Sequence, residues 1–383
     1  MNIRKLNRLD TYMDKNKHLI PGASLLVEHN GKRVYEKVFG VDRKDSIYRL
    51  FSMTKPLTAL AAMILYERGD LDLLSPVSDI LPAFKNMKVA SPNGIHDARH
   101  QIYVRDLLNM TSGIVKPGDY GEAGQSMNGI YREARIQRRS GILKSNVDVA
   151  NKLAESYLMF EPGEGFHMGL NAEVLSAVIE QVSGERFSDF MRKYVFEPLH
   201  MSETNFYIDG DKAFRQSAMM MFDEKTGKVQ RADANTLSKL EMEDPFSNPW
   251  IESGGNGLYS TMEDYAHFCE MLINKGSFHG KEIIGKKTYG FMTTNNLDME
   301  LEKNVAKIGK EGYGYGNYFF VMTDTIKNSS NGSKNLIEGF GEAGTYFMVD
   351  PQEELIIIFM QQIDGGLDKK FYRGLRQIVF GAV

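Results

Sequence analysis

The strongest constraint on the fold is where the β-forming residues lie along the chain. Ala23–His29 and Arg33–Phe39 read as strands, and Asn30-Gly31 between them is the dipeptide best suited to a two-residue hairpin turn. Comparable β-rich runs return only near the other end, at Tyr318–Met322, Gly344–Val349 and Leu355–Gln361. An isolated hairpin is marginal in water. The opening hairpin is therefore expected to pair with the closing strands, so that everything between them must leave the sheet and come back.

What lies between reads as helix. From Ser52 the apolar residues Leu57, Leu60, Ala61, Ile64 and Leu65 recur at helical spacing until Gly69, a stop signal. Val104–Met110 and Glu173–Val182 are the clearest helices of the middle stretch, with Gly184 where a terminating glycine belongs. Further helices are predicted at the N-terminus, over Met262–Asn274 and near Lys370–Phe380, and Asn328–Ser333 reads as an exposed loop. The pattern predicts an α+β fold in two lobes. Residues 1–80 and 250–383 would form a discontinuous sheet domain, and residues 81–249 a mainly helical one.

Composition narrows the class of partner. With 383 residues the chain can bury a sizeable core, and 42% hydrophobic with 25% charged residues is the balance of an ordinary globular protein. The net charge is −4 and basic residues are scattered, which offers no footprint for nucleic acid or for an anionic membrane. Small molecules are the expected partners, with oligomeric state left open. No apolar core of a signal peptide follows the first ten residues, so a cytoplasmic location is expected. Cys269, the single cysteine, sits in an amphipathic run and reads as a buried filler rather than a nucleophile. His96 and His100 are four apart, but Pro92, Asn93 and Gly94 argue for a loop and no third ligand stands out. Neither a metal nor another cofactor is expected.

The chemistry gathers at Ser52-Met53-Thr54-Lys55. A serine and a lysine three residues apart at a helix start lie on one face, a single turn from each other. An alcohol becomes a nucleophile when a neighbour takes its proton, and a lysine amine does so once burial lowers its pKa. The helix N-terminus adds backbone N–H groups suited to an oxyanion. Ser-x-x-Lys also arises by chance, with the serine as a plain N-cap.

The surrounding motifs supply the context. Leu50-Phe51-Ser52-Met53-Thr54-Lys55-Pro56-Leu57-Thr58 is followed by Val104-Arg105-Asp106-Leu107-Leu108-Asn109-Met110-Thr111-Ser112-Gly113, Glu161-Pro162-Gly163, Ser253-Gly254-Gly255-Asn256-Gly257-Leu258-Tyr259-Ser260-Thr261 and Gly344-Thr345-Tyr346-Phe347-Met348-Val349-Asp350-Pro351. In that order, over nearly the whole chain, these resemble the serine β-lactamase-like, penicillin-recognising superfamily, and within it the class C β-lactamase and family VIII carboxylesterase group. The resemblance implies a β-lactamase/transpeptidase-like fold, with an antiparallel or mixed sheet flanked by helices and a helical domain, and a site in the cleft between them. It assigns Ser52 as acyl-accepting nucleophile and Lys55 as its base.

Two family motifs are altered. Phe166-His167-Met168-Gly169-Leu170-Asn171 puts Met168 where the resemblance expects a proton-sharing tyrosine, and a thioether cannot shuttle protons. His167 is the adjacent candidate to replace it, or else an ordinary packed histidine. Tyr120 and Tyr157 are other aromatic candidates. Tyr315-Gly316-Asn317 matches the literal Tyr-x-Asn but falls too late, in what reads as the entry to a strand. The third motif falls at Gly339-Phe340-Gly341, ahead of Glu342, whose backbone N–H would be the second oxyanion donor. The Lys or His usual there is absent, and Glu342 brings the opposite charge, which disfavours penicillin binding. Gly339, Phe340, Gly341, Trp250 and His167 are the expected substrate contacts. The reading is a hydrolase of small esters with β-lactam or amide side activity, since an alkoxide leaves more easily than an amine. The competing reading is a binding protein that keeps the cleft and does little chemistry.

Overall fold

In the computed structural model, residues 1–240, 242, 244–249 and 251–383 are described. The N-terminal helix α1 (Arg8–Asn16) leads into the hairpin β1 (Gly22–His29) and β2 (Lys32–Gly40), turning at Asn30 and Gly31 with φ of 52° and 68°. Both values are what a type I′ turn needs. The short strand β3 (Ile47–Arg49) and a single 3₁₀ turn over Phe51–Met53 precede α2 (Thr54–Glu67). Ser52 thus lies in the tight turn that feeds the helix, which starts at Thr54 and not at Ser52 as the sequence suggested. The later elements that build the site are α3 (Asn171–Ser183), β4 (Tyr259–Thr261), α4 (Met262–Ile273), the strands β5 (Tyr313–Gly316), β6 (Phe319–Met322), β7 (Ile337–Phe340), β8 (Tyr346–Asp350) and β9 (Leu355–Gln361), and α5 (Lys369–Phe380).

The two ends of the chain close one seven-stranded sheet in the order β5-β6-β7-β8-β9-β1-β2. Ala23 stands opposite Gln361 and His29 opposite Leu355, which joins the first hairpin to the last strand. Every pair in this sheet is antiparallel, so the sheet is not mixed. Short turns join most neighbours, and short turns permit only antiparallel pairing. Strands β1 and β9 are buried along almost their whole length, as central strands covered on both faces must be. Alternation assigns the cover. Phe347 meets Tyr265 and Phe268 of α4, whereas Phe359, facing the other way, meets Phe371 of α5, which stacks on Tyr12 of α1.

Several segments differ from the sequence reading. Residues 88–97 form a hairpin, Lys88–Ser91 with Gly94–Asp97, so His96 is on a strand and not in a loop. Its Nε2 stands 3.0 Å from Oε1 of buried Glu161, which also accepts from Arg99, so this histidine clasps a carboxylate. Among the described residues no three His, Cys, Asp or Glu side chains are grouped to hold a metal. A second hairpin, Met220–Asp223 with Lys228–Arg231, and a 19-residue helix, Gly121–Arg139, also went unread. Tyr315 belongs to β5 itself, and Tyr318 occupies the turn after it with Asn317, at φ 68° and 48°. Cys269 is fully buried on α4. No described helix is long and apolar enough to cross a membrane.

Candidate active site

The turn that carries Ser52 is held under strain. Phe51, immediately before it, has φ 48°, a left-handed conformation that costs a bulky side chain about 1–3 kcal/mol. Its neighbours hold it there. Leu50 N–H donates to Leu258 O at 2.8 Å, Tyr265 Oη donates to Met53 O at 3.1 Å, and the Arg49 guanidinium lies 5.1 Å from the Phe51 ring. Ser52 stays half-buried beside this support, and Lys55 Nζ stands 2.8 Å from Ser52 Oγ. Hydroxyl and amine are in contact, as a one-turn spacing requires.

The amine is held from the other side by backbone. Lys55 Nζ donates to Gly255 O at 2.9 Å, Thr58 Oγ1 donates to Gly254 O at 2.7 Å, and Thr54 Oγ1 accepts from Leu258 N–H at 3.2 Å. The glycine pair is what allows this approach. A Cβ on Gly254 would sit 2.6 Å from Ala172 O, and one on Gly255 would sit 2.5 Å from Glu173 Oε1. The first turn of α3 therefore presses directly on the 253–258 segment, and Ser253 Oγ donates to Glu173 Oε1 at 2.6 Å. Burial lowers the Lys55 pKa to about 8; Glu173 and Glu342 act against that and Lys116 adds to it. An amine so placed is uncharged in a useful fraction near neutral pH.

The third motif is brought against the same turn. A Cβ on Gly341 would meet Leu50 O at 2.3 Å and Phe51 Cβ at 3.2 Å, so this glycine is the contact surface between the exit of β7 and the turn that carries Ser52. Thr345 Oγ1 donates to Leu50 O at 3.0 Å and Gly341 N–H donates to Thr345 O at 2.7 Å, fixing the exit. Strand β6 pairs with β7 only at Glu338 and Ile337, which leaves Gly339 and Phe340 without a strand partner on that side. Among the described residues neither Ser52 N–H nor Glu342 N–H donates to a backbone carbonyl. Two such donors near one hydroxyl are chemically suited to receive an oxyanion. The Phe340 ring stacks on Phe320 at 5.5 Å.

Met168 is half-buried against the main core, in a loop pinned from both ends. A Cβ on Gly169 would lie 1.8 Å from Ile114 O, and buried Asn171 bridges Ser112 Oγ at 2.5 Å and Met110 Sδ at 3.1 Å. His167 packs edge-on against Tyr120, ring centroids 4.5 Å apart, and among the described residues its buried Nε2 has no partner. Burial, helped by Lys116, lowers its pKa to about 4, so the ring is neutral near pH 7. Trp250 lies outside the described residues. Sequence reasoning missed Glu173, Thr58 and Lys116. Glu173 had one available signal, its place in the first turn of a helix that follows the altered second motif.

Known proteins resemble this chain in sequence and in fold. The chain is 25% identical over 379 residues to Esterase EstB of Burkholderia gladioli, covering 92% of this chain and 89% of that protein. It is 28% identical over 332 residues to Protein Rv1367c of Mycobacterium tuberculosis, covering 84% and 78%. Among solved structures it superposes on EstCE1, described as a hydrolase with promiscuous acyltransferase activity, with TM-score 0.80, 22% identity and coverage of 99% and 98%. Simvastatin Synthase (LovD) from Aspergillus terreus gives TM-score 0.81 at 18% identity, covering 98% of each chain. These superpositions establish the β-lactamase/transpeptidase-like fold. Residues 7–379 match the profile of the Beta-lactamase family, and a match of that extent makes this chain a member of it.

Proposed function

We propose that the protein is a serine hydrolase that forms an acyl-enzyme at Ser52, with Lys55 as base, and that its substrates are small esters. The observation that carries this reading is the 2.8 Å contact between Ser52 Oγ and an amine whose pKa is lowered to about 8. Neutral Lys55 takes the Ser52 proton as Oγ attacks the carbonyl carbon, and the N–H groups of Ser52 and Glu342 receive the oxyanion. The ammonium then protonates the departing alkoxide. Water, deprotonated by the same amine, releases the acid and restores Ser52. Met168 in place of a phenol favours esters over amides, because an alkoxide needs less help in leaving. The cleft is assigned between residues 1–80 with 250–383 on one side and 81–249 on the other, with Gly339, Phe340, Gly341, His167 and Trp250 as substrate contacts.

Met168 also favours a second reading, a binding protein with weak chemistry. Turnover of p-nitrophenyl butanoate and of a chromogenic cephalosporin separates the two. The hydrolase reading expects ester turnover that Ser52→Ala and Lys55→Ala both abolish, with the cephalosporin cleaved slowly. Ester turnover that survives Ser52→Ala, or none in the wild type, overturns it.

A further inference from the structure

Two charged side chains stand beside the reacting pair without a role in the chemistry described above. Lys116 follows Ile114 and Val115, the residues on which Gly169 packs, so it emerges next to the Met168 loop. Glu342 follows Gly341, whose position is set by contact with Leu50 and Phe51, so it emerges within a residue or two of Ser52. Both side chains are exposed. Among the described residues neither makes a hydrogen bond or ion pair, although each is close enough to Lys55 to bias its charge, one in each direction. Lys370 and Arg373 line the same cavity of about 800 Å³ as Glu342, yet neither pairs with it. Glu173, the other carboxylate acting on Lys55, already accepts from Ser253, which leaves Lys116 and Glu342 as the pair with charge to offer.

We infer that Lys116 and Glu342 are specificity-determining residues that orient a charged or zwitterionic ester across Ser52, its cationic end toward Glu342 and its anionic end toward Lys116. The inference rests on the serine-hydrolase reading and names the substrate class for that site. Charges at the rim of a cleft select partners more than they add affinity, and unpaired ones do so with no internal partner to displace. This also accounts for the altered third motif. The Lys or His that the resemblance expects at Gly339 is absent, and Glu342, three residues on, places a carboxylate next to the motif instead.

The test compares three p-nitrophenyl esters of similar length, with pentanoyl, 4-(trimethylammonio)butanoyl and 4-sulfobutanoyl acyl groups, chosen so that no chain cyclises onto its own ester. The quantity read is the ratio of kcat/KM for the cationic over the anionic ester. Common effects on Lys55 cancel in that ratio, and the neutral ester reports them separately. Glu342→Gln is expected to lower the ratio about five-fold and Lys116→Gln to raise it about five-fold, both changes shrinking at high salt. A ratio that moves less than about two-fold in either variant, or moves the wrong way, overturns the inference. Ser52→Ala must abolish turnover of all three esters. If it does not, the hydrolase reading has failed, a different result from an unmoved ratio.

Discussion

Replacing Lys55 by methionine should stop the chemistry and, at neutral pH, make the protein more stable. The folded-state pKa of Lys55 is about 8 against an ordinary 10.5. Below pH 8 the ammonium therefore carries the full net cost of its surroundings, desolvation offset in part by Glu173 and Glu342, about 3 kcal/mol. As pH rises through 8 toward 10.5 the folded amine is already neutral while the unfolded one remains charged, and the cost disappears. Methionine fills a similar volume and escapes this cost, but it gives up the contacts to Ser52 Oγ and Gly255 O, together about 2 kcal/mol. Lys55→Met should then be about 1 kcal/mol more stable than wild type at pH 7 and about 1 kcal/mol less stable at pH 10. Urea unfolding of both proteins at several pH values measures this directly. A difference in stability that stays constant from pH 7 to pH 10 refutes the claim that a desolvated amine sits at the site.

On the proposed mechanism the same amine should set the pH dependence of catalysis. At pH 7 about one-tenth of Lys55 is uncharged, against about one part in three thousand for an ordinary lysine, so kcat/KM for an uncharged ester should rise with pH to a midpoint near 8. A profile with its only midpoint below pH 6 contradicts this. Met168→Tyr should raise ester turnover about ten-fold or more by restoring a proton-sharing group, read from steady-state rates, and an unchanged rate means that Met168 does not occupy the tyrosine's place. Gly341→Ala should lower stability by about 1–3 kcal/mol and cut turnover, because its methyl group would meet Leu50 O at 2.3 Å. Gly129→Ala, on an exposed helix position with no atom within 4 Å, should instead stabilise by about 0.5–1 kcal/mol with unchanged activity, checked by thermal unfolding.

The parts of the fold that could be read from sequence are those fixed by local chemistry. Asn30-Gly31 specifies its turn, the apolar stripe from Leu57 to Leu65 its helix, and Gly184, at φ 68°, the end of another. The missed elements lack such marks. Helix Gly121–Arg139 carries three glycines, and its buried stripe of Ala123, Met127 and Ala134 is thin and built mostly of small residues, while the hairpin over 88–97 is mostly exposed. At the site, Ser52 and Lys55 were legible because one helical turn joins them. The supports contributed by Gly255, Glu173 and Gly341 were not, since each depends on a close approach between segments far apart in the chain. Phe51 was illegible for a related reason. Nothing in a phenylalanine announces a left-handed backbone, which tertiary contacts impose.

The most direct experiment is covalent labelling with a fluorophosphonate, followed by mass spectrometry of the modified peptide. A single adduct on Ser52, lost in Ser52→Ala and formed much more slowly in Lys55→Ala, with a rate that climbs through pH 8, is the expected result. Labelling elsewhere, or labelling at Ser52 that is indifferent to Lys55, would contradict it.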